Sequence, residues 1–287
     1  MGQTIAIVGA GRVGRALGLR LRRLNWEIGA VVTRSKTTAQ RAVRAIGAGR
    51  PQAKLARNIL EADAVIIATP DDEILRVARH LAQMGREEWR GKVVLHTSGA
   101  LDSSALSPLA SWGAATGSMH PMQTFAGRSA PPLEGIVFTI EGNHRAQSVA
   151  RRIARGLGGV AVAIRGNAKP VYHAGGTFAA GNGLALIEAA VRLLMRAGFS
   201  RRHAKMALLR LTRQMLGNYE RFGAKEAWTG PLSRGDFSTL ARHWRALSKW
   251  PPEYSQAYAA LARLSARVLA SHPDRTLRRI NQILPDR

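Results

Sequence analysis

The run Thr4-Ile5-Ala6-Ile7-Val8-Gly9-Ala10-Gly11-Arg12-Val13-Gly14-Arg15-Ala16-Leu17 constrains the chain more than any other stretch. It joins a short apolar strand to a tight glycine turn and the first turn of a helix. Gly9 permits the sharp exit from the strand, Gly11 lets backbone approach a pyrophosphate, and Gly14 lets the helix lie close to the sheet. Unpaired N–H groups and the dipole at a helix N-terminus then favour the anion. The spacing predicts a dinucleotide cradle over Gly9, Ala10, Gly11, Arg12, Val13 and Gly14, at the head of a doubly wound α/β domain.

A second strand follows at 26–32, and its polar end decides between the two nicotinamide dinucleotides. An NAD site places a carboxylate there for the ribose 2′-hydroxyl, whereas a 2′-phosphate is met by Arg and small hydroxyls. The chain reads Thr33-Arg34-Ser35-Lys36, with two cations and no acid, which predicts NADP. Further apolar runs at 64–68, 93–96, 117–123, 136–140 and 160–164 alternate with helical patterns. This alternation predicts a parallel sheet with ligands at the carboxyl ends of its strands. Asp71 or Asp72 is expected to cap the helix after Ala68-Thr69-Pro70, and 47–61 gives no clear element.

From Lys169 onward strand signals stop and helical patterns fill the chain. The expected division is a cofactor domain over 1–166 and a helical domain over 167–287, with Asn167 or a neighbour capping the first long helix. That helix carries Gly175, Gly176, Gly181 and Gly183, each costing up to about 1 kcal/mol of helix propensity relative to Ala. Close approach of another backbone is the expected compensation, which predicts a homodimer built on this domain.

The formal charge of +25 raises the question of polyanions. Only seven of the 43 basic residues are Lys, and the arginines are spread over most helices without a dense block or interleaved aromatics, so no specific nucleic-acid partner is expected. With no Cys, thiolate metal sites and disulfides are excluded. The eight His form no H-E-x-x-H pair, and no metal is expected. No run of about 18 consecutive apolar residues occurs, so no membrane span is expected and a cytoplasmic location is.

Several stretches together resemble bacterial Rossmann-like proteins with a helical C-terminal domain of unknown function 2520, commonly described as NADP oxidoreductases. They are Gly9 to Gly14, Ala68-Thr69-Pro70-Asp71, His96-Thr97-Ser98-Gly99, Ser118-Met119-His120-Pro121, Lys169-Pro170-Val171-Tyr172-His173 and Thr229 to Asp236. The two-domain plan is similar to 6-phosphogluconate dehydrogenase, the β-hydroxyacid dehydrogenases and pyrroline-5-carboxylate reductase. This resemblance implies a nicotinamide site and commonly a dimer through the helical domain. It adds Ala68, Thr69 and Pro70 to the cofactor contacts.

Hydride transfer at a carbon bearing O or N needs a proton partner for the heteroatom. In 6-phosphogluconate dehydrogenase a Lys opens the interdomain helix with His and Asn three and four residues later. Lys169 matches that Lys, and here Tyr172 and His173 hold the two offsets, so the acid/base role stays open between Lys169 and His173, with the resemblance favouring Lys169. Spacing of three and four puts all three on one helix face. His120, in a segment similar to the His-Pro-Met of prephenate dehydrogenases, is a further candidate. Ser98 is expected beside it or at the nicotinamide amide. Arg234, in a glycine-flanked loop, suits a substrate carboxylate, and Tyr172 is placed with it among the substrate contacts. The expected activity is hydride transfer to or from a small anionic carbonyl, imine or hydroxy acid; a catalytically silent NADP(H)-binding regulator shares the same features.

Overall fold

A computed structural model describes residues 3–127 and 130–284. The first strand, β1 (Thr4–Val8), is central because it is apolar at every inner position. Ile5 and Ile7 enter one core layer, Ala6 and Val8 the other, as the two-residue period of a strand requires. The same holds for β2 (Glu27–Val32), β4 (Ala64–Ile67) and β5 (Val93–His96), so these strands are near-continuous apolar runs with helices on both faces. The helices α1 (Arg12–Arg23), α2 (Lys36–Ile46) and α5 (His144–Gly156) cover one face. The other is covered by α3 (Asp71–Gly85) and the short α4 (Ser107–Ala110).

With β3 (Arg50–Gln52), β6 (Ala115–Pro121), β7 (Val137–Gly142) and β8 (Val160–Ala163), the strands form one sheet in the order β3-β2-β1-β4-β5-β6-β7-β8. The first six follow the doubly wound dinucleotide-binding order. All neighbours are parallel except β6 and β7, which run antiparallel with His120 opposite Thr139 and Ser118 opposite Glu141. The segment between β6 and β7 shows no helix among its described residues, and without a crossover the chain returns alongside the strand it has left. The unassigned stretch after α2 supplies β3 and a 3-10 turn at Arg57–Glu61.

Two capping expectations are corrected. Pro70 is the N-cap of α3 and makes no side-chain cap. Asp71, Asp72 and Glu73 lie inside the first turn, where they act on the helix dipole. Ala168 precedes α6 (Lys169–Thr177), after a 3-10 turn that takes up Asn167, so no side chain caps it.

The first compact unit, Met1–Gly181, contains the whole sheet and α6. The second, Asn182–Arg287, is helical: α7 (Gly183–Arg196) pairs with the long α8 (Arg201–Ala227). In the same unit α9 (Phe237–Leu247), α10 (Pro252–Leu269) and α11 (Pro273–Ile283) enclose Leu240, Ala259, Ala262, Ala266 and Ile280.

The glycine turn has the geometry its spacing requires. Gly9 has φ +90°, and a Cβ there would stand 2.7 Å from the backbone of Ala68 and Thr69. A Cβ on Gly14 would stand 2.5 Å from the Gly9 carbonyl oxygen, whereas one on Gly11 meets nothing within 4 Å. Gly14→Ala should therefore lower the unfolding free energy by about 1–3 kcal/mol, the range for overpacking, and Gly11→Ala should change it far less. Urea denaturation of both variants checks this; equal stability losses would contradict the packing account.

Candidate active site

The parallel strands β1, β4, β5 and β6 bring their carboxyl ends to one edge of the first unit. There the cradle, the Ala68-Thr69-Pro70 turn, Ser98 and His120 each follow or end a strand. The cradle fits a dinucleotide on two counts. Gly11 leaves open the space a side chain would fill. Beside it the Thr69 hydroxyl oxygen is buried and has no hydrogen-bond partner, so a polar donor or acceptor remains unsatisfied at the turn that touches Gly9.

At the end of β2, Ser35 caps α2 by accepting from the Thr38 amide at 3.2 Å, and the Thr33 hydroxyl donates to the Ser35 carbonyl at 2.9 Å. This fixes the turn that carries Arg34 and Lys36. Both are exposed, and neither forms an ion pair among the described residues.

Behind this edge lies a polar cluster built on Lys169. The Lys169 side chain is fully buried, and its Nζ donates to the Ser98 carbonyl at 2.7 Å and to Ser118 Oγ at 2.9 Å. Burial pushes its pKa down to about 8, against the opposing pull of Glu141, Asp71 and Asp102. Ser98 is committed locally. Its Oγ accepts from the amides of Ala100 and Leu101, and its own N–H donates to His96 Nδ1. Because Nδ1 accepts, the His96 hydrogen sits on Nε2 and is donated to the Asp102 carbonyl at 3.0 Å. Burial pushes His96 down to about 4, so it is a neutral brace. Glu141, also buried, accepts from the Ser103 amide and hydroxyl.

His120 faces the opening of this cluster. Its Nδ1 lies 2.7 Å from the Tyr172 hydroxyl, and its ring meets the exposed His173 edge to face at 6.2 Å. Burial first, then the Lys169 ammonium and His173, push its pKa down to about 4, while burial raises that of Tyr172. A Cβ on Gly99 would come within 2.9 Å of His120 Nε2 and 2.7 Å of the His173 ring, so the glycine keeps that nitrogen uncovered.

The structure thus brings Lys169, Tyr172, His173, Ser98 and His120 together in one unit, with Lys169 behind and His120 and Tyr172 in front. Arg234 lies in the second unit, exposed. Asp236, its neighbour in the loop, caps α9 by accepting from the Thr239 amide and hydroxyl. Sequence reasoning missed the inward-facing His96, Ser118 and Glu141. The available signal was a polar residue at the end of an apolar strand, since His96, Ser118 and Glu141 are register partners across β5, β6 and β7.

Residues 2–121 match the model of a Rossmann-like domain, and residues 136–265 match that of a domain of unknown function, DUF2520. The comparison with curated proteins gives no match. Among solved structures, the protein TM1727 from Thermotoga maritima aligns with a TM-score of 0.72 at 23% identity, covering 97% of this chain and 98% of its own. A reductive aminase from Aspergillus terreus, in complex with NADPH and ethyl-5-oxohexanoate, aligns at 0.69 and 16%, covering 93% and 94%. Pyrroline carboxylate reductase from Plasmodium falciparum, with NADP bound, aligns at 0.59 and 13%, covering 97% and 99%. At these identities the likeness is one of fold.

The depressed histidines set the response to acid. Between pH 6.5 and about 4 the unfolded imidazoles take up protons that folded His96 and His120 refuse, so stability falls as pH drops through this window. Lys169 acts in the same sense at the alkaline end: between about pH 8 and 10.5 the unfolded amine holds a proton that the folded one has lost, so stability rises with pH. Denaturation midpoints should fall from pH 6.5 to 4, and fall less steeply in His120→Gln; an unchanged slope would contradict the burial account of His120.

Proposed function

We propose that this chain, a member of the Rossmann-like proteins that carry the DUF2520 domain, is an NADP(H)-dependent oxidoreductase acting on a small anionic carbonyl, imine or hydroxy-acid substrate. Residues 1–166 hold the cofactor and 167–287 serve substrate and dimer contacts. The single observation that carries this reading is the hydrogen-bonded pair of His120 and Tyr172, set at the strand edge that carries the glycine cradle.

Gly9, Ala10, Gly11, Arg12, Val13 and Gly14 would hold the pyrophosphate, with Ala68, Thr69 and Pro70 beside it. Thr33, Arg34, Ser35 and Lys36 would hold the 2′-phosphate, and the Ser98 loop would border the nicotinamide. The cofactor supplies or accepts hydride at its nicotinamide ring. This chain's part is the proton: the substrate heteroatom gains or loses one as its carbon gains or loses hydride. A proton can pass along Nε2, Nδ1 and the Tyr172 hydroxyl, with solvent replacing or taking up the Tyr172 proton and the imidazole staying neutral, which suits a histidine held as low as about 4. Lys169 and Ser98 are positioning residues in this reading, because both are buried and bonded among themselves and to Ser118. His173 borders His120 and tunes it, and Tyr172 is the proposed substrate contact within the first unit, as Arg234 is within the second.

A homodimer through the helical domain belongs to the same reading. On α7 and α8, Leu184, Leu186, Met206, Leu211, Leu216 and Phe222 are all exposed, with Leu184 at 68% and Leu211 at 67%. Such a surface exceeds the scattered apolar residues of ordinary monomers. The helical stretch Gly166–Arg196 is long and apolar enough to cross a membrane, at mean hydropathy 1.4 and with 6% of that window buried. A second copy is favoured as its cover. Gly175 and Gly176 meet nothing within 4 Å, leaving room for another backbone, and Glu188, ion-paired with Arg192 and Arg201, would be costly in lipid.

Two measurements test the assignment. In equilibrium binding, Arg34→Ala should weaken NADPH far more than NADH; equal losses would remove the 2′-phosphate role. In turnover with imines and keto acids, His120→Ala should lose on the order of 10² to 10⁴ in rate with NADPH affinity nearly intact. Retention of full activity by His120→Ala and Tyr172→Phe would return the pair to a packing role. For the dimer, sedimentation should give twice the 31.0 kDa chain mass, and Leu211→Glu with Leu216→Glu should give the single chain. A monomeric parent protein would refute the interface.

A further inference from the structure

The outer side of α1 borders a cavity of about 430 Å³ that shares only Arg12 with the proposed cofactor cradle. Its wall includes Arg12, Arg15, Arg20 and Arg23, together with Ala45 at the end of α2 and Phe125 in the segment after β6. Arg12 to Arg23 spans about 16 Å at the α-helical rise, so the arginines form a row leading away from the glycine turn. Glu134 pairs with Arg20. Arg12 donates to the Phe125 carbonyl at 3.3 Å and Arg15 to the Gly11 carbonyl at 3.1 Å. Arg12, Arg15 and Arg23 have no carboxylate partner among the described residues, and no acidic side chain is found in the described lining.

Like charges three apart on a helix repel, and α1 carries two such pairs, Arg12 with Arg15 and Arg20 with Arg23. A monocarboxylate would answer one guanidinium. The unneutralised guanidiniums of Arg15 and Arg23, with Arg12 at the end shared with the cradle, call for more than one negative charge, and phosphoryl oxygens accept from guanidinium in the two-pronged geometry it favours. The apolar part of the wall strengthens that field by keeping the dielectric low. We infer that the cavity along α1 binds a small molecule carrying a chain of phosphoryl groups, at a site separate from the dinucleotide.

Two probes share this chemistry: inorganic tripolyphosphate and adenosine triphosphate. Each is titrated calorimetrically into the full chain, alone and with saturating NADPH, and into Arg23→Ala and Ala45→Glu. Both positions are exposed, and both variants should fold and bind NADPH like the parent. Saturable one-to-one binding is expected, retained under NADPH and weakened about tenfold or more in each variant, the scale of a lost or opposed charge-assisted contact. Tighter binding of the nucleotide would identify a nucleoside polyphosphate as the ligand class; equal binding would identify the phosphate chain alone. Displacement by NADPH would overturn the proposal by placing the anion in the cradle. Equal binding to parent and variants would overturn it by assigning the anion to the general basic surface, and so would no binding. If NADPH itself fails to bind, the cofactor reading falls while the variant comparison still decides this one.

Discussion

One buried ammonium holds the site together. Lys169 Nζ ties the first turn of α6 to the Ser98 loop after β5 and to Ser118 inside β6. Taking a lysine out of water is costly, and two strong acceptors with a buried carboxylate nearby offset that cost only in one arrangement of these three segments. The same arrangement sets Tyr172, one helical turn on, against His120. The position of the reactive-looking pair is thus a consequence of where a charge can be buried.

The cradle obeys a different constraint, the close approach of backbone. Gly9 and Gly14 are compressed against Ala68, Thr69 and each other, whereas Gly11 faces open space. The two systems share one edge because β1, β4, β5 and β6 are parallel. Backbone packing shapes the part that would hold a dinucleotide, and a hydrogen-bonded polar cluster shapes the part that would handle a proton.

The doubly wound domain was legible because its signals are local: strand runs and glycine spacing. β3 escaped notice because it is three residues long and includes Pro51, acceptable on an edge strand and invisible to a pattern. The antiparallel return of β7 depends on a connection without a helix, which no single position announces. Lys169, Tyr172 and His173 were visible as a spacing, but spacing does not reveal depth; the buried ammonium and the outward hydroxyl look alike in sequence. His96, Ser118 and Glu141 support one another only across strands, so no stretch of chain displays them together.

On the proposed function, the His120–Tyr172 pair stands where hydride leaves or reaches a nicotinamide held by the cradle. The most direct test uses NADPH carrying deuterium at both nicotinamide C4 positions, incubated with a panel of cyclic imines and keto acids, with products analysed by mass spectrometry. A product one mass unit heavier is expected for at least one substrate, formed by His120→Ala on the order of 10² to 10⁴ more slowly than by the parent protein. Tight NADPH binding with no isotope transferred to any member of the panel would contradict it and favour a silent NADP(H)-binding regulator.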